Sequence, residues 1–449
     1  MDILIMSILL EQVVIYGSII IFCLLIVIFY LRIQKKNSDL TKIKIAEAKE
    51  AGLFEPVSLH PVVDINSCIQ TGACIAACPE TDILGIVDGK ATVINASVCI
   101  GHGACFHACP TEAITLCIGT EKRGVDLPHV NQTFETNVTG MYISGELGGM
   151  GLIKNAVEQG KQAVDNIAKA MKKGHKADYD LVIIGAGPSG IAAALSAKKH
   201  NLKAINIEQN SLGGTVFTFP RKKIIMTAPM DLPLYGKVKL FETSKTELLG
   251  LWNKVIDKHE IEIKENTKVE SILFSDDYFT ITSLEGTVYT ANNVLLSIGR
   301  RGSPRKLNIP GEETEKVSYR LLEPELIEGN DIMVVGGGDS AIESALLLVD
   351  NNKVTLSYRG ETFNRIKPKN RELINDAIDS NKLTMLYSST PQSIHKEYIT
   401  VDVNGEKMNI KNDLIYIFAG GELPTEFLRK SGIQITRKFG EALLKHEKK

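Results

Sequence analysis

Tyr179-Asp180-Leu181-Val182-Ile183-Ile184-Gly185-Ala186-Gly187-Pro188-Ser189-Gly190 decides the fold, and a stretch upstream of it, Asn137-Val138-Thr139-Gly140-Met141-Tyr142-Ile143-Ser144-Gly145-Glu146-Leu147-Gly148-Gly149, decides its arrangement. The first is an apolar strand running into Gly-x-Gly-x-x-Gly, with a helix predicted behind it over residues 191–200. Strand, glycine turn and helix in this order bring backbone N–H groups to a pyrophosphate at the helix N-terminus. The next strand, residues 203–207, ends at Glu208, where an acid meets a ribose hydroxyl. Between the two quoted stretches Leu152, Ile153, Ala156, Val157, Ala163, Val164 and Ile167 recur at helical spacing. Lys172 and Lys173 follow as the basic end that suits a helix C-terminus.

Downstream come a second glycine pair, Gly213-Gly214-Thr215, and an apolar strand, Asn292-Asn293-Val294-Leu295-Leu296-Ser297-Ile298-Gly299-Arg300. A second strand, turn and helix follow at residues 331–335 and Gly336-Gly337-Gly338-Asp339-Ser340-Ala341, and a last strand at 413–419 leads into Gly420-Gly421-Glu422-Leu423-Pro424. Together these resemble the thioredoxin-reductase-like flavoproteins of the pyridine nucleotide-disulfide oxidoreductases. The resemblance implies an α/β fold with two Rossmann-like dinucleotide-binding domains. FAD would be held by Gly185, Gly187, Pro188, Ser189, Gly190, Glu208, Gly214 and Thr215, and a nicotinamide cofactor by Gly336, Gly338, Asp339 and Ser340. The 137–149 stretch resembles the segment that closes the FAD domain of that family, yet here it precedes the strand that opens it. A circularly permuted chain is therefore expected, since the ends of a compact domain often lie close together. Gly145-Glu146 stands where the family usually has Gly-Asp; Glu146 is expected to reach a ribityl hydroxyl, the alternative being a plain helix-entry acid. A helix beginning within residues 148–151 would turn its positive end towards the flavin.

Where an acid would select the 2'-hydroxyl of NAD, the sequence has Tyr358, with Arg359 beside it and Arg365 nearby. Arginine accommodates a 2'-phosphate, so NADPH is favoured over NADH. An ordinary solvated basic face is the plainer reading of Arg365, Lys367 and Lys369. No cysteine lies beyond Cys117, so the C-x-x-C dithiol of thioredoxin reductases is missing. Leu232-Pro233-Leu234-Tyr235-Gly236 and Tyr358-Arg359-Gly360 look more like bacillithiol disulfide reductases, which lack the pair as well.

Six of the eight cysteines form two runs, Cys68-Ile69-Gln70-Thr71-Gly72-Ala73-Cys74-Ile75-Ala76-Ala77-Cys78-Pro79 and Cys99-Ile100-Gly101-His102-Gly103-Ala104-Cys105-Phe106-His107-Ala108-Cys109-Pro110. Both resemble the C-x2-C-x2-C-x3-C-P pattern of bacterial two-cluster ferredoxins, in which the last cysteine of each run serves the other run's cluster. The resemblance assigns Cys68, Cys74 and Cys109 to one cluster and Cys99, Cys105 and Cys78 to the other. The second cysteine of each run is replaced, by Thr71 and by His102, leaving three thiolates per cluster. A 3Fe-4S cluster, or a 4Fe-4S cluster whose fourth iron has another ligand, fits that set. His102 is either that ligand or a hydrogen-bonding neighbour in a glycine-flanked turn, and Thr71 is not expected to bind metal. A hairpin is expected at Asp88-Gly89, and a buried strand around Cys117.

The net charge of -2 gives no general reason to expect nucleic acid, and the cysteine pattern argues for a reducing compartment. Residues 13–31 are uncharged and apolar over the length that about 30 Å of hydrocarbon requires. Asp2 and Glu11 precede this span, with Cys23 inside it, and Arg32, Lys35, Lys36, Lys42 and Lys44 follow, so the positive-inside rule faces the remainder to the cytoplasm. The expected division is 1–35 transmembrane anchor, 36–56 linker helix with lysines facing water and headgroups, 57–119 α+β ferredoxin-like domain, 120–178 permuted FAD-closing segment and helix, 179–305 FAD domain, 306–411 NAD(P) domain and 412–449 return to the FAD domain. The expected protein is a membrane-anchored oxidoreductase passing electrons between NADPH, FAD and two iron-sulfur clusters, with no catalytic side chain beyond the cofactor ligands. A low-molecular-weight disulfide reductase with an accessory ferredoxin module and a non-catalytic redox sensor are the alternatives. The electron acceptor is left open, and the relatives' habit of dimerising leaves room for a homodimer.

Overall fold

A computed structural model describes residues 2–50, 56, 59–78, 80, 82–99, 101, 103–122, 124–149, 151–171, 177–220, 224–227, 229–240, 242–275, 277–300, 303–363 and 366–446. His102, Lys172, Lys173 and Arg365 lie outside them. Tyr179–Ile184 forms the middle of the largest sheet; Leu181, Val182 and Ile183 are fully buried, as a parallel strand covered on both faces requires. It pairs in parallel with Ala204–Ile207 on one side and Val288–Leu296 on the other. Tyr278–Ser283 covers only the first half of Val288–Leu296, as far as Ala291. The second half is taken in parallel by Met141–Ile143, with Val294 opposite Met141 and Leu296 opposite Ile143. The strand that closes the sheet thus comes earlier in sequence than the strand that opens it, as the permuted reading requires.

The helix after the glycine turn spans Pro188–Lys199, starting earlier than the sequence pattern suggests because Pro188 suits the first helical position. It packs on Ile153–Ala170, whose apolar positions are those read from the sequence. Contact is close: a Cβ on Gly160 would lie 2.1 Å from the Ser189 carbonyl oxygen, and Ala192, Ala193 and Ala197 are fully buried. The expectation of a helix starting within residues 148–151 is corrected. Gly145–Gly148 forms a 3-10 turn, left-handed Gly149 (φ 107°) ends it, and the helix begins at Ile153.

A second sheet carries five parallel strands in the order Val317–Ser318, Leu414–Ile417, Asp331–Val335, Lys353–Ser357, Leu383–Leu386. An antiparallel meander of Ser389–Ile394, Tyr398–Val403 and Glu406–Lys411 shares a core with it through Ile399, Val401, Met333 and Ile417.

The cysteine-rich region is built on Leu59–Val63 paired antiparallel with Ile114–Ile118, where Cys117 is buried as expected. The hairpin Leu84–Val87/Lys90–Val93 turns at Asp88 and Gly89, both at positive φ. Two corrections concern the chain's ends. Glu441–Leu444 does not return to the flavin sheet; it adds a third, antiparallel strand beside Ile114–Ile118, while Ile435–Lys438 pairs with Val125–Pro128. The free edge of Ile114–Ile118 offers main-chain partners there, and Leu443 and Leu444 join the core beneath. His446 then stacks on Phe106 with ring centroids 3.7 Å apart. At the other end, the helix Asp2–Glu50 runs unbroken, so no separate linker helix begins at residue 36; residues 51–55 lie outside the described set. Lys42 and Lys44 do not simply face water: they pair with Asp88 (2.8 Å) and Asp82 (2.6 Å). Such exposed pairs contribute about 0–1 kcal/mol each. The seat owes more to burial of Ser38 and Ala48 and to Gly85, where a Cβ would come within 2.6 Å of Thr41.

Because the groove between the two flavin-unit helices has no room for a methyl group at Gly160, Gly160→Ala is expected to destabilise the fold by about 1–3 kcal/mol. A lower midpoint of chemical denaturation at unchanged slope is the expected reading, and an unchanged midpoint would contradict the packing described.

Candidate functional site

The glycines after Tyr179–Ile184 divide into those that pack and those that open. A Cβ on Gly185 would lie 2.5 Å from the Ser297 carbonyl oxygen, and one on Gly190 1.8 Å from that of Gly185. Both must be glycine for strand and helix to meet. Gly187, by contrast, looks onto open space, and a Cβ on Gly214 would stand 3.4 Å from the Gly187 Cα. The two glycine turns therefore face each other across a cradle that a pyrophosphate fits, with Gly214 and Thr215 on the single turn Gly214–Val216. Glu208 is buried beside it. Its Oε2 accepts the Ala186 N–H (2.7 Å) and its Oε1 the Asn210 N–H (2.9 Å), which sets the acid at the edge of the turn.

The upstream segment enters this same cradle. A Cβ on Gly145 would lie 3.0 Å from that of Ser189, and the Gly145 N–H donates to Gln159 Oε1 at 2.9 Å. The buried Ser144 hydroxyl bonds Ser189 Oγ (2.7 Å) and Ser297 Oγ (3.0 Å). Glu146, half-buried, sits in the following turn beside Gly151. Sequence reasoning named Ser189 but missed Ser144, Ser297 and Gln159. Each of the two serines immediately follows a strand that ends at the same sheet edge, and that shared position was the available signal.

In the second sheet, Gly336 (φ 144°) abuts the Phe418 carbonyl oxygen, 2.6 Å from where its Cβ would be. The Tyr358 ring lies across Gly337 and stacks on Phe363 (5.5 Å between centroids), while Gly338 and Ser340 are exposed. Asp339 Oδ1 accepts the Lys367 N–H (2.8 Å) and the Asn370 side-chain amide (2.7 Å). It thereby holds the start of the helix Pro368–Asp379, with exposed Lys367 and Lys369, beside the glycine turn. With Arg359 also exposed, this donor set suits an anionic dinucleotide.

Cys68, Cys74 and Cys109 line one cavity, with Thr71 on its wall. The Ala91 N–H donates to Cys68 Sγ (3.4 Å) and the Ala113 N–H to Cys109 Sγ (3.3 Å), and Thr111 Oγ1 lies 3.7 Å from Cys109 Sγ. Backbone N–H groups aimed at sulfur suit thiolates that carry a cluster's charge. Burial, then the neighbouring Cys109 and Cys68, push the Cys74 thiol up. In the other group burial comes first again: Cys99 is pushed up to about 11, with Cys78 adding to it, and Cys105 to about 12, with Cys99 and Cys78 adding to it. Cys78 and Cys99 act on Cys105 as Cys109 and Cys68 act on Cys74, and Cys74 also raises Cys105. These thiols stay protonated at neutral pH until a cation displaces the protons, so metal loading weakens as pH falls. Among the described residues no three Cys, His, Asp or Glu groups converge tightly enough for a single metal ion, and a multi-atom cluster spreads its thiolates wider.

Comparison with known proteins agrees with this architecture. A family model for pyridine nucleotide-disulphide oxidoreductases matches residues 182–449, and one for a 4Fe-4S dicluster domain matches residues 60–110. The first match begins within the opening strand, so the closing strand Met141–Ile143 falls ahead of it. Bacilliredoxin reductase Bdr of Bacillus subtilis is 24% identical over 273 residues, covering 59% of this chain and 84% of that protein. A ferredoxin–NADP reductase of Ignicoccus hospitalis is 27% identical over 185 residues, covering 41% of this chain and only 57% of that protein. Among solved structures, bacillithiol disulfide reductase Bdr (YpdA) from Staphylococcus aureus is 26% identical with a TM-score of 0.50, covering 57% of this chain and 81% of that one. The chain belongs to the pyridine nucleotide-disulphide oxidoreductase family and is an oxidoreductase that carries a 4Fe-4S dicluster domain ahead of its flavin unit.

Proposed function

We propose that this chain is a membrane-anchored oxidoreductase that passes electrons between NADPH, FAD and two iron-sulfur clusters. One observation carries the reading: the loop of residues 145–149 has one foot in the flavin cradle and the other in the core of the cysteine-rich unit. Ser144 and Gly145 are tied to the flavin cradle. A Cβ on Gly149 would touch Leu443 (3.1 Å), Leu127 (3.5 Å) and Ile118 (3.6 Å), all in the core of the cysteine-rich unit. NADPH supplies a hydride, FAD exchanges two electrons for one, and iron-sulfur clusters carry single electrons.

The roles proposed for the chain's own residues follow from position. Gly187 and Gly214 admit the FAD pyrophosphate with Pro188, Ser189 and Thr215 around it, Glu208 meets the ribose, and Gly145-Glu146 borders the flavin. Gly336, Gly338, Asp339 and Ser340 admit the nicotinamide cofactor, and Arg359 with Arg365 favours its 2'-phosphate. Three thiolates hold each cluster, of the 3Fe-4S type or of the 4Fe-4S type with a further ligand such as His102. The domain division is that given above, except that one helix runs over residues 2–50, the flavin unit also claims 137–171 and the cysteine-rich unit also claims 441–446. The exposed apolar stretch of the N-terminal helix is long enough to span a bilayer, and its cationic flank supports a cytoplasm-facing body. A second reading, a low-molecular-weight disulfide reductase, is favoured by the likeness to the bacilliredoxin and bacillithiol disulfide reductases. The absence of a cysteine after Cys117 counts against dithiol chemistry of the thioredoxin-reductase kind, not against this reading.

The deciding experiment is anaerobic titration of the loaded chain with NADPH. The flavin band should bleach and cluster signals should appear by EPR; a bleached flavin with silent clusters would reject the electron route. Cys74→Ser is expected to remove one cluster's signal and spare both the other's and flavin reduction, whereas loss of both would mean that the interleaved sets are wrong. For cofactor choice, Arg359→Ala should raise KM for NADPH roughly tenfold, the size of one charge-assisted hydrogen bond, and leave that for NADH in place. Equal effects on both cofactors would remove Arg359 from 2'-phosphate recognition.

A further inference from the structure

The cysteine-rich unit has two distinct ends. In the pair Leu59–Val63 and Ile114–Ile118, Leu59 faces Ile118 at one end and Val63 faces Ile114 at the other. The flavin-side loop meets the first end, Gly149 against Ile118, and the Cys99 run begins there too, with Gly101 against Leu59. The cavity of Cys68, Cys74 and Cys109 lies at the opposite end, walled by Val63 and Ile114. Just beyond Val63 the chain exposes Ile65 (61%) and Ile69 (64%), and Ile69 adjoins Cys68 in sequence.

The N-terminal helix shows which way that end points. Its continuous exposed apolar stretch runs to Leu31 and Ile33, with Leu40 and Ile43 exposed singly beyond it, and Arg32, Lys35 and Lys36 mark the water boundary. Ser38 (3.3 Å) and Lys42 hold Asp88, whereas Lys44, further from the span, holds Asp82. The Asp88-Gly89 turn is therefore the part of the hairpin nearest the apolar stretch, and Ser38 stands about 7.5 Å of helix beyond Ile33, where that stretch ends. Gln70 lies on that turn, its Oε1 3.1 Å from where a Gly89 Cβ would be, and Lys90 Nζ donates to the Cys68 carbonyl at 2.7 Å. Ile69, between Cys68 and Gln70, shares that height. The polar layer on each face of a bilayer is about 5–8 Å thick. No break in the helix separates span from seat, so the height of this tip above the lipid is set by a rigid rod.

We propose that Ile65 and Ile69 rest in the headgroup layer of the phospholipid bilayer, making the Cys68/Cys74/Cys109 site the membrane-facing end of the unit and the Cys99/Cys105/Cys78 site its flavin-facing end. The proposal depends on the anchor reading above. The occupant of the apolar tip is lipid because the same unbroken helix that enters the bilayer carries the tip to its surface.

The test uses the full chain, reconstituted into phosphatidylcholine vesicles with or without acyl chains brominated near the glycerol end, and for the span position in vesicles whose chains are brominated near the bilayer centre. Single tryptophans are introduced as Ile69→Trp, Ile65→Trp, Ile20→Trp in the span and Leu273→Trp on the exposed face of the flavin unit; the native Trp252 is fully buried and sets the background. Bromolipid should remove roughly half of the emission added by Ile69→Trp or Ile65→Trp, as for side chains at the headgroup boundary, and none of that added by Leu273→Trp. Quenching of Ile20→Trp with neither tip position affected would overturn the docking and leave the anchor standing. Failure of Ile20→Trp to quench would overturn the anchor and the docking with it.

Discussion

Three residues of parallel pairing and one shared hydroxyl hold the molecule's two chemistries together. Met141–Ile143 lies along Val294–Leu296, and the Ser144 hydroxyl that follows is bonded to Ser189 at the start of the pyrophosphate-binding helix and to Ser297 at the strand exit. All three hydroxyls are buried, and each bond contributes on the order of 1 kcal/mol. Leaving one unmade would cost more than making it contributes, so the trio sets position more than it adds stability. With the Gly145 N–H bond to Gln159, it holds the segment at Gly145 against the glycine turn.

Placing the closing strand first changes what the chain's ends can do. In a permuted order the N-terminal side of the flavin unit is also the C-terminal side of the cysteine-rich unit, so the loop between them is shared. The tail completes the arrangement from the other direction: Glu441–Leu444 adds a strand to the cysteine-rich sheet after the chain has passed through both dinucleotide units. Main-chain hydrogen bonds at both borders of Ile114–Ile118 thus tie the first and last parts of the protein into one sheet. The N-terminal helix is fastened to the same unit by a close approach at Gly85 and two exposed ion pairs, of which the close approach is the stronger constraint.

Much of this was legible in residue patterns, for physical reasons. Buried parallel strands such as Tyr179–Ile184 and Asp331–Val335 declare themselves as apolar runs ending in glycine, because nothing else allows helix and strand to approach so closely. The Asp88-Gly89 hairpin was legible because turn chemistry constrains residue type strongly. What escaped were long-range pairings with weak local signatures. Glu441–Leu444 is short and amphipathic, and nothing in it names Ile114–Ile118 as its partner. The helix start at Ile153 was misread because a glycine-rich run can open a helix or, as with left-handed Gly149, interrupt the approach to one. Lys42 and Lys44 looked like solvated lysines since their aspartate partners lie some forty residues away in sequence.

The central claim is that flavin and iron-sulfur chemistry are joined within one chain through the loop that Ser144 and Gly149 bracket. Rapid mixing of the cofactor-loaded protein with a single equivalent of NADPH, followed over a range of protein concentrations, tests that most directly. The account predicts that cluster absorbance bleaches as reduced flavin reoxidises, with a first-order rate that does not change with protein concentration. A cluster rate that rises in proportion to concentration would mean transfer between molecules and would contradict it.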